Sequence, residues 1–270
     1  MTREADVAGR PLVSVVTVVY NGAAHIEETI RAVAAQTYPE IRHIVVDGGS
    51  TDGTVEILRR LEDRLDCWVS EPDRGVYHAM NKGIGLVSDP RSYVLFANAG
   101  DALYAPDVIE RAMNAAAAGG ADLVYGRMAF SDGAYSGVMG RPVQLSDLAR
   151  ETLCHPATFV RREVFDRVGL FDTSYRLAAD YDHIVRCFCH PVSTQFVDVI
   201  VSRMRMGGLS GDDYMLSCSE RKRVVRSRFG FFRRLAGVTQ INLYDIPRNV
   251  ARHLLQRAGL LERWRLLKGS

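Results

Sequence analysis

The chain has 270 residues, of which 47% are hydrophobic, and its formal net charge is +2. This length suffices for one large core, and an α/β domain of this size need not be divided. No apolar run approaches the roughly 20 residues that a membrane-spanning helix needs. Residues 1–10 are polar and resemble neither a secretory signal nor a transit peptide. We therefore expect a cytoplasmic protein.

The small net charge hides an asymmetry along the chain. From residue 220 onward there are thirteen Lys or Arg and three acids, a net charge of +10, which leaves −8 of the total of +2 for residues 1–219. An acidic body with a basic tail indicates that the tail meets something anionic.

Two strand–helix units open the chain. Residues 12–20 form a nearly continuous β-branched run, typical of a strand covered on both faces. Apolar residues at helical spacing follow it up to Gln36. A second strand over 41–46 leads through a glycine-rich loop into a helix with Val55 on its apolar face. Alternating strands and helices imply parallel strands with right-handed crossovers, so the predicted fold class is α/β.

Similar patterns continue along the chain, with a turn-rich stretch after about residue 126. The predicted elements are strand 67–70, helix 76–86, strand 93–97, helix 108–118, strand 123–125, helix 162–168, helix 180–188 and strand 196–202. We predict a single domain over 11–215, with a mostly parallel central sheet flanked by helices. A basic helical C-terminal extension over 216–270 follows it.

The predicted strand over 93–97 ends in Asn98-Ala99-Gly100-Asp101. Open α/β sheets bind ligands at the C-terminal ends of their strands, which makes Asp101 a candidate ligand-binding acid. The alternative is that Asp101 caps the next helix, which Pro106 would start. These residues alone favour neither interpretation.

A second acid, Asp47, follows the second strand and precedes Gly48 and Gly49. Glycines allow a ligand to approach the backbone closely. An acid at this edge can accept a hydrogen bond from a sugar hydroxyl or a base N–H. The chain lacks both the Gly-x-Gly-x-x-Gly spacing and a Gly-Lys-Ser/Thr loop. Nicotinamide chemistry and phosphoryl transfer are therefore disfavoured.

Six segments together resemble the family 2 glycosyltransferases, in both order and spacing. The resemblance extends over roughly residues 11–210, and six motifs in register are specific where one would be weak. The basic tail lies outside it. The six segments are 14–21, 45–54, 71–83, 96–101, 155–159 and 179–182.

This resemblance implies a GT-A fold and transfer of a sugar from a nucleotide diphosphate to an acceptor hydroxyl, with inversion at the anomeric carbon. It implies that Tyr20 and Asp47 hold the nucleoside, that Asp101 binds metal and that Asp180 is the catalytic base. Asp182 would point elsewhere on the helix and is interpreted as structural or as a residue that supports the site indirectly. The choice of Asp180 over Asp182 rests on the resemblance and not on spacing.

The implied chemistry explains the need for acids. A hard divalent cation, Mg²⁺ or Mn²⁺, offsets the charge of a leaving diphosphate, and a positioned carboxylate takes the proton of the attacking hydroxyl. Many relatives have Asp-x-Asp-Asp at the metal motif, whereas only the last acid, Asp101, is present here. Asn98 still offers a carbonyl oxygen and is also a candidate for contacting the diphosphate or the acceptor. We expect weaker metal affinity than with three carboxylates.

Further candidates lie in two of the other matching segments. Asp73 and Asn81 are predicted to bind the nucleotide, the alternative being a solvated helix surface. Arg74 and Lys82 either approach phosphate or belong to that surface. His155 either contacts the diphosphate or acceptor, or is a packed and hydrogen-bonded histidine.

The predicted partners are a nucleotide diphosphate sugar donor and a glycan or lipid-linked acceptor. Residues 221–235 alternate basic and aromatic side chains, which favours an anionic membrane surface at the inner face of the membrane. The alternative for this segment is a solvated basic helix packed on the core. Nucleic acid is not expected.

Two rival functions remain at this point. One is a nucleotide-sugar binding module that has lost catalysis along with two of the metal-site acids. The other is a nucleotidyltransferase, which would release pyrophosphate but for which no basic, glycine-rich triphosphate loop is present.

Overall fold

The structure is a computed structural model that describes residues 10–117, 119–131, 136–205 and 213–247. The strands are β1 (Val13–Val19), β2 (Ile41–Asp47), β3 (Cys67–Ser70), β4 (Tyr93–Phe96), β5 (Ala102–Leu103), β6 (Leu123–Ser131), β7 (Ser136–Met139), β8 (Thr158–Arg161) and β9 (Thr194–Arg205). The helices are α1 (Ile26–Ala34), α2 (Thr54–Arg60), α3 (Val76–Leu86), α4 (Val108–Ala116), α5 (Arg162–Val168), α6 (Ala179–Cys189), α7 (Tyr214–Arg228) and α8 (Phe231–Gln240). Shorter helical turns cover Glu62–Arg64, Asp147–Ala149, His155–Ala157 and Ile241–Asp245.

The described residues form one nine-stranded sheet in the order β3-β2-β1-β4-β8-β6-β9-β5, with β7 beside β6. Its first part, from β3 to β4, is parallel throughout. All seven residues of β1 are buried, as predicted for a strand covered on both faces. The predicted α/β class is confirmed.

The second part of the sheet is mixed rather than parallel. Strand β8 lies between β4 and β6 and is antiparallel to both, while β9 is parallel to β6. The register pairs Tyr93 with Arg161 and Leu95 with Phe159. Consequently, the residues that follow β4 face the residues that precede β8, which puts Asn98 and His155 at the same edge.

The hydrophobic core fills both faces of the sheet. Along β1, Val16 and Val18 belong to one cluster of buried residues and Val13 and Val15 to another. The first cluster lies under α3 and α6 and also includes Val224, Val225 and Phe229, from α7 and the residue after it. The first basic helix of the C-terminal segment is therefore packed against the main core.

Several predicted bounds shift in the structure. The predicted helix over 108–118 ends at Ala116, and the predicted strand over 196–202 extends over Thr194–Arg205. Residues 248–270 of the predicted extension lie outside the described residues. Among the helices that the structure describes, none is both long and apolar enough to cross a membrane.

Candidate active site

Hydrogen bonds join the loops that follow β1 and β2. Asn21 has a left-handed backbone with φ of 49°. Its N–H donates to Ser50 Oγ at 2.7 Å, and its Oδ1 accepts from the Thr51 N–H at 2.9 Å. The Gly22 N–H donates to Thr54 Oγ1 at 3.0 Å. The two loops therefore form one frame at the C-terminal edge of the parallel strands.

Asp47 is fully buried, and its hydrogen bonds hold the loop after β2 in place. Its Oδ2 accepts from the N–H groups of Gly49 and Ser50 at 3.1 and 3.0 Å and from Ser70 Oγ at 2.6 Å, and its Oδ1 accepts from Ser50 Oγ. Oδ2 is thus fully used by the protein, while Oδ1, with one contact, keeps one acceptor position. The structure thus gives Asp47 a loop-shaping role, and its predicted nucleoside contact stays a prediction.

The side chains of Tyr20 and Asp73, which we call the Tyr20–Asp73 pair, lie against Gly48. A Cβ atom on Gly48 would lie 2.4 Å from Asp73 Oδ2 and 3.4 Å from Tyr20 Cδ2. Asp73 Oδ1 accepts from the Gly75 N–H at 2.7 Å, which orients the carboxylate. The Tyr20 residue is 66% exposed. The Tyr20–Asp73 pair therefore offers an aromatic face and a carboxylate side by side.

The other polar residues predicted near the nucleotide are paired within the protein. Asn81 Nδ2 donates to the Phe171 carbonyl at 2.9 Å, and Asn81 Oδ1 accepts from the Phe171 N–H at 3.0 Å. Lys82 Nζ lies 2.8 Å from Glu71 Oε1. Asn81 thus holds the segment before α6, and its predicted nucleotide contact stays a prediction. Arg74 is exposed.

The residues Asn98 to Asp101 form a tight turn after β4. The Asp101 N–H donates to the Asn98 carbonyl at 2.8 Å, and Asp101 Oδ2 accepts from the Asn98 N–H at 3.2 Å. Gly100 has φ of 100°, which only glycine adopts without strain. Helix α4 begins at Val108, after β5. Asp101 is therefore no helix cap, and that alternative is excluded.

This turn presents oxygen donors suited to a hard cation. Asn98 Oδ1 is buried and has no hydrogen-bond partner within the described residues. Burial raises the pKa of Asp101, although His155 and the Asn98 N–H lower it in part. The described residues contain no group of three or more His, Cys, Asp or Glu that could hold a metal ion. Asn98 and Asp101 fit Mg²⁺ or Mn²⁺ when phosphate and water oxygens complete the ligand shell.

Asp180 lies near the start of α6 and is held by three donors. His155 Nδ1 is 3.2 Å from its Oδ2, and the side chains of His155 and Asp180 are 30% and 20% exposed. Tyr77 Oη donates to Asp180 Oδ1 at 2.9 Å, and the Tyr181 N–H donates to the same oxygen at 2.8 Å. On its other side, His155 Nε2 lies 3.4 Å from Asn98 Nδ2. His155 thus bridges Asp180 and the Asn98 turn.

The charges of this pair stabilise each other. Burial raises the pKa of Asp180, but the hydrogen bond and charge of His155, together with the hydrogen bonds from Tyr181 and Tyr77, outweigh it, so that the pKa lies below its usual value. Burial lowers the pKa of His155, but the hydrogen bond to Asp180 and the charges of Asp180 and Asp101 raise it above its usual value. Asp180 is therefore ionised near neutral pH.

Asp182 is turned away from this site and into the protein. Its side chain is fully buried and accepts from Arg186 Nε at 2.8 Å and from Arg228 Nε at 3.0 Å. It is structural, as interpreted from its spacing. This ion-pair network joins α6 to α7.

Sequence reasoning missed two residues that contact this region. Tyr77 donates a hydrogen bond to Asp180. It lies in the matching segment 71–83, in which only Asp73 and Asn81 were predicted to bind the nucleotide. Glu220 accepts hydrogen bonds from the backbone before α6. Its one sequence signal is that it is among the few acids of a basic tail.

The curled, mixed sheet flanked by helices has the GT-A fold. The mannosyltransferase PcManGT from Pyrobaculum calidifontis, solved in complex with GDP-Man and Mn²⁺, superposes with a TM-score of 0.69 at 22% identity, covering 97% of this chain and 80% of that one. The S. aureus TarS 1-349 structure in complex with UDP gives a TM-score of 0.64 at 18% identity, covering 85% and 70%. These likenesses show the fold.

The sequence comparisons identify the family. Residues 14–168 match the model of glycosyl transferase family 2. The chain is 35% identical over 210 residues to a PGL/p-HBAD biosynthesis glycosyltransferase of Mycobacterium bovis (strain BCG / Pasteur 1173P2), covering 74% of this chain and 79% of that protein. It is 30% identical to the glycosyltransferase AglE of Haloferax volcanii, covering 73% and 72%. The chain therefore belongs to glycosyl transferase family 2.

Proposed function

We propose that this enzyme is an inverting glycosyltransferase that moves a sugar from a nucleotide diphosphate sugar to a hydroxyl group of a glycan or glycolipid. The observation that carries the proposal is the contact between His155 and Asp180, next to the turn of Asn98 and Asp101. On one side of His155, Asp180 offers an ionised base. On the other side, Asn98 and Asp101 offer oxygen ligands for a cation.

The Tyr20–Asp73 pair beside Gly48 is suited to the nucleoside of the donor. The Tyr20 ring offers a face for stacking, and the Asp73 carboxylate can accept from a base N–H or a ribose hydroxyl. Asp47 holds the loop that contains Gly48 through its four hydrogen bonds. Nucleotides in the TarS and PcManGT structures support this class of donor.

Asp101 and Asn98 would hold the divalent cation. When bound, such an ion offsets the negative charge on the departing diphosphate. The Mn²⁺ in the PcManGT structure supports this assignment. The buried, unpartnered Asn98 Oδ1 is the feature of this chain that supports it independently.

Asp180 acts as the general base. As the acceptor oxygen forms its bond to the anomeric carbon, the bond from that carbon to the diphosphate oxygen breaks, and Asp180 takes the hydroxyl proton. A single displacement of this kind inverts the configuration. Tyr77 and the Tyr181 N–H hold one carboxylate oxygen, and His155 holds the other.

The exposed apolar residues of α8 support a contact with an anionic membrane surface, where a lipid-linked acceptor would lie. At the start of α8, Phe231 and Phe232 are 71% and 83% exposed, and Leu235 is also exposed. Arg233 and Arg234 lie between them in the chain. Each basic residue near an anionic surface contributes about 1 kcal/mol of attraction.

Product analysis tests the proposed reaction. The enzyme is incubated with UDP-GlcNAc and with GDP-mannose, in Mn²⁺ or Mg²⁺, and the released nucleotide is identified. We expect slow release of the nucleoside diphosphate, with water in place of the acceptor, and loss of this release in Asp180→Asn. Binding without release by the unaltered enzyme would indicate a binding module, and pyrophosphate would indicate a nucleotidyltransferase. Either result contradicts the proposal.

A further inference from the structure

The segment that leads into α6 is held by a carboxylate from the C-terminal part of the chain. Glu220 lies on α7 and is only 7% exposed. Its Oε1 accepts from the Arg176 N–H at 2.8 Å, and its Oε2 accepts from the N–H groups of Leu177 and Ala178 at 2.8 and 3.0 Å. One side chain thus binds three consecutive backbone groups.

These three groups lie immediately before the base. Helix α6 begins at Ala179, and its N-cap residue Ala178 has no side chain that can cap it. An N-cap normally satisfies backbone N–H groups at the start of a helix, and a negative charge there is also favourable to the helix dipole. Glu220 instead binds the three N–H groups that precede the helix, and it places a negative charge near the N-terminal end of the helix dipole. The next residue after Ala179 is Asp180.

A second contact joins α7 to α6. Arg228, at the C-terminal end of α7, lies 3.0 Å from the buried Asp182, which also pairs with Arg186. Between Glu220 and Arg228, Val224 and Val225 are buried in the main core. Helix α7 therefore contacts the chain on both sides of Asp180. Glu220 binds residues 176–178 before it, and Arg228 binds Asp182 after it.

We infer that Glu220 is a positioning residue for sugar transfer, which holds the backbone of residues 176–178 so that α6 presents Asp180 to the acceptor. This inference rests on the proposed role of Asp180 as base. It places part of the catalytic geometry in the C-terminal segment, outside the residues 14–168 that match the family.

Two substitutions separate positioning from simple loss of packing. Glu220→Ala removes both acceptor oxygens and with them all three hydrogen bonds, and Glu220→Gln keeps one carbonyl oxygen. The control is Ser219→Ala, the exposed neighbour whose hydroxyl bonds within its own helix. For nucleoside diphosphate release from UDP-GlcNAc or GDP-mannose, we expect kcat to fall by roughly 10- to 100-fold in Glu220→Ala and less in Glu220→Gln, because misplacing a reacting group by about 1 Å costs about 10²-fold. The donor KM stays within about twofold, and Ser219→Ala retains full activity.

Hydrogen–deuterium exchange gives a readout that does not depend on turnover. The amides of Arg176, Leu177 and Ala178 are expected to exchange slowly in the unaltered protein and in Ser219→Ala. In Glu220→Ala they should exchange at least about tenfold faster, while the amides of β1 keep their protection. Unchanged exchange at residues 176–178, or loss of protection throughout the protein, would overturn the inference.

Comparison with Asp180→Asn distinguishes two kinds of failure. If Asp180→Asn is inactive and Glu220→Ala keeps its kcat, the positioning role is wrong and the base assignment stands. If Asp180→Asn retains full turnover, the base assignment itself is wrong. If Glu220→Ala raises the donor KM as much as it lowers kcat, Glu220 supports the fold in general and the positioning role is again wrong.

Discussion

His155 Nδ1 lies 3.2 Å from Asp180 Oδ2, and the opposite ring nitrogen of His155 faces the amide of Asn98. One imidazole ring thus connects the proposed base to the turn that carries the proposed metal ligands. Both sides of the reaction centre therefore depend on the placement of this ring.

Replacing Asp180 with Asn should abolish most turnover and leave donor binding intact. The amide cannot accept the hydroxyl proton, so we expect kcat to fall by about 10²- to 10⁴-fold. The nucleotide-sugar Kd, measured by calorimetry, should stay within about twofold. The matched control is Asp166→Asn, on the exposed surface of α5. Normal turnover in Asp180→Asn would refute the base assignment.

Replacing His155 with Gln should change the pH dependence of the reaction. His155 lowers the pKa of Asp180, so its removal raises that pKa and leaves less of the carboxylate ionised at low pH. The acidic limb of the kcat profile should then move to higher pH. His190→Gln, on the exposed surface after α6, should leave the profile unchanged. A limb that stays in place or moves to lower pH contradicts the proposed pairing.

Replacing Asp101 with Ala should weaken nucleotide binding only when metal is present. Calorimetric titration with UDP and GDP in Mn²⁺, and again in EDTA, measures both states. We expect a loss of at least about tenfold in affinity with Mn²⁺, because the change removes the one carboxylate of the motif, and little change in EDTA. Asn98→Ala should give a smaller loss. Equal affinities with Mn²⁺ for the variant and the unaltered enzyme would remove Asp101 from the metal site.

Replacing Gly48 with Ala should disturb the Tyr20–Asp73 pair that is proposed to bind the nucleoside. The new methyl group would meet Asp73 Oδ2 at 2.4 Å, so the carboxylate must move. We expect nucleotide affinity to fall by about tenfold, since one charged hydrogen bond is worth about 1.5 to 3 kcal/mol. Gly85→Ala is the control, because nothing lies within 4 Å of a Cβ there. Equal affinities for the two variants would place the nucleoside elsewhere.

Replacing Phe231 and Phe232 together with Ser should reduce binding to anionic vesicles. Cosedimentation with phosphatidylserine and phosphatidylcholine vesicles compares the variant with the unaltered chain. We expect binding to phosphatidylserine that weakens with salt and falls in the variant, because the apolar contact is lost. Tyr104→Ser, an exposed aromatic residue elsewhere, is the control. Absence of binding to phosphatidylserine would contradict the membrane proposal.

Local pattern was sufficient to predict the parallel part of the fold. The β-branched run became β1, and the turn formers after β4 became the turn of Asn98 and Asp101, because these features depend on neighbouring residues. The pairing of β8 with β4 is a long-range choice, and the turn-rich stretch before it gave no periodic signal. The sheet was therefore expected to be more parallel than it is in the second part.

The site shows the same division between local and long-range information. Motif matching singled out Asp180, His155 and Asn98, but only the structure shows that His155 lies between the other two. Motif matching also singled out Asp47, whose carboxylate accepts four hydrogen bonds from within the protein. The contact of Glu220 with residues 176–178 spans more than forty positions and has no local signature.

The antiparallel pairing of β8 with β4 has an evolutionary consequence. Asn98 and His155 are brought together by the backbone ladder of these two strands, and not by the path of the chain between them. Insertions or deletions in the intervening surface loops can therefore leave the reaction centre in register. We therefore expect that such loops can change in length or sequence, for example to fit a different acceptor, without separating Asn98 from His155.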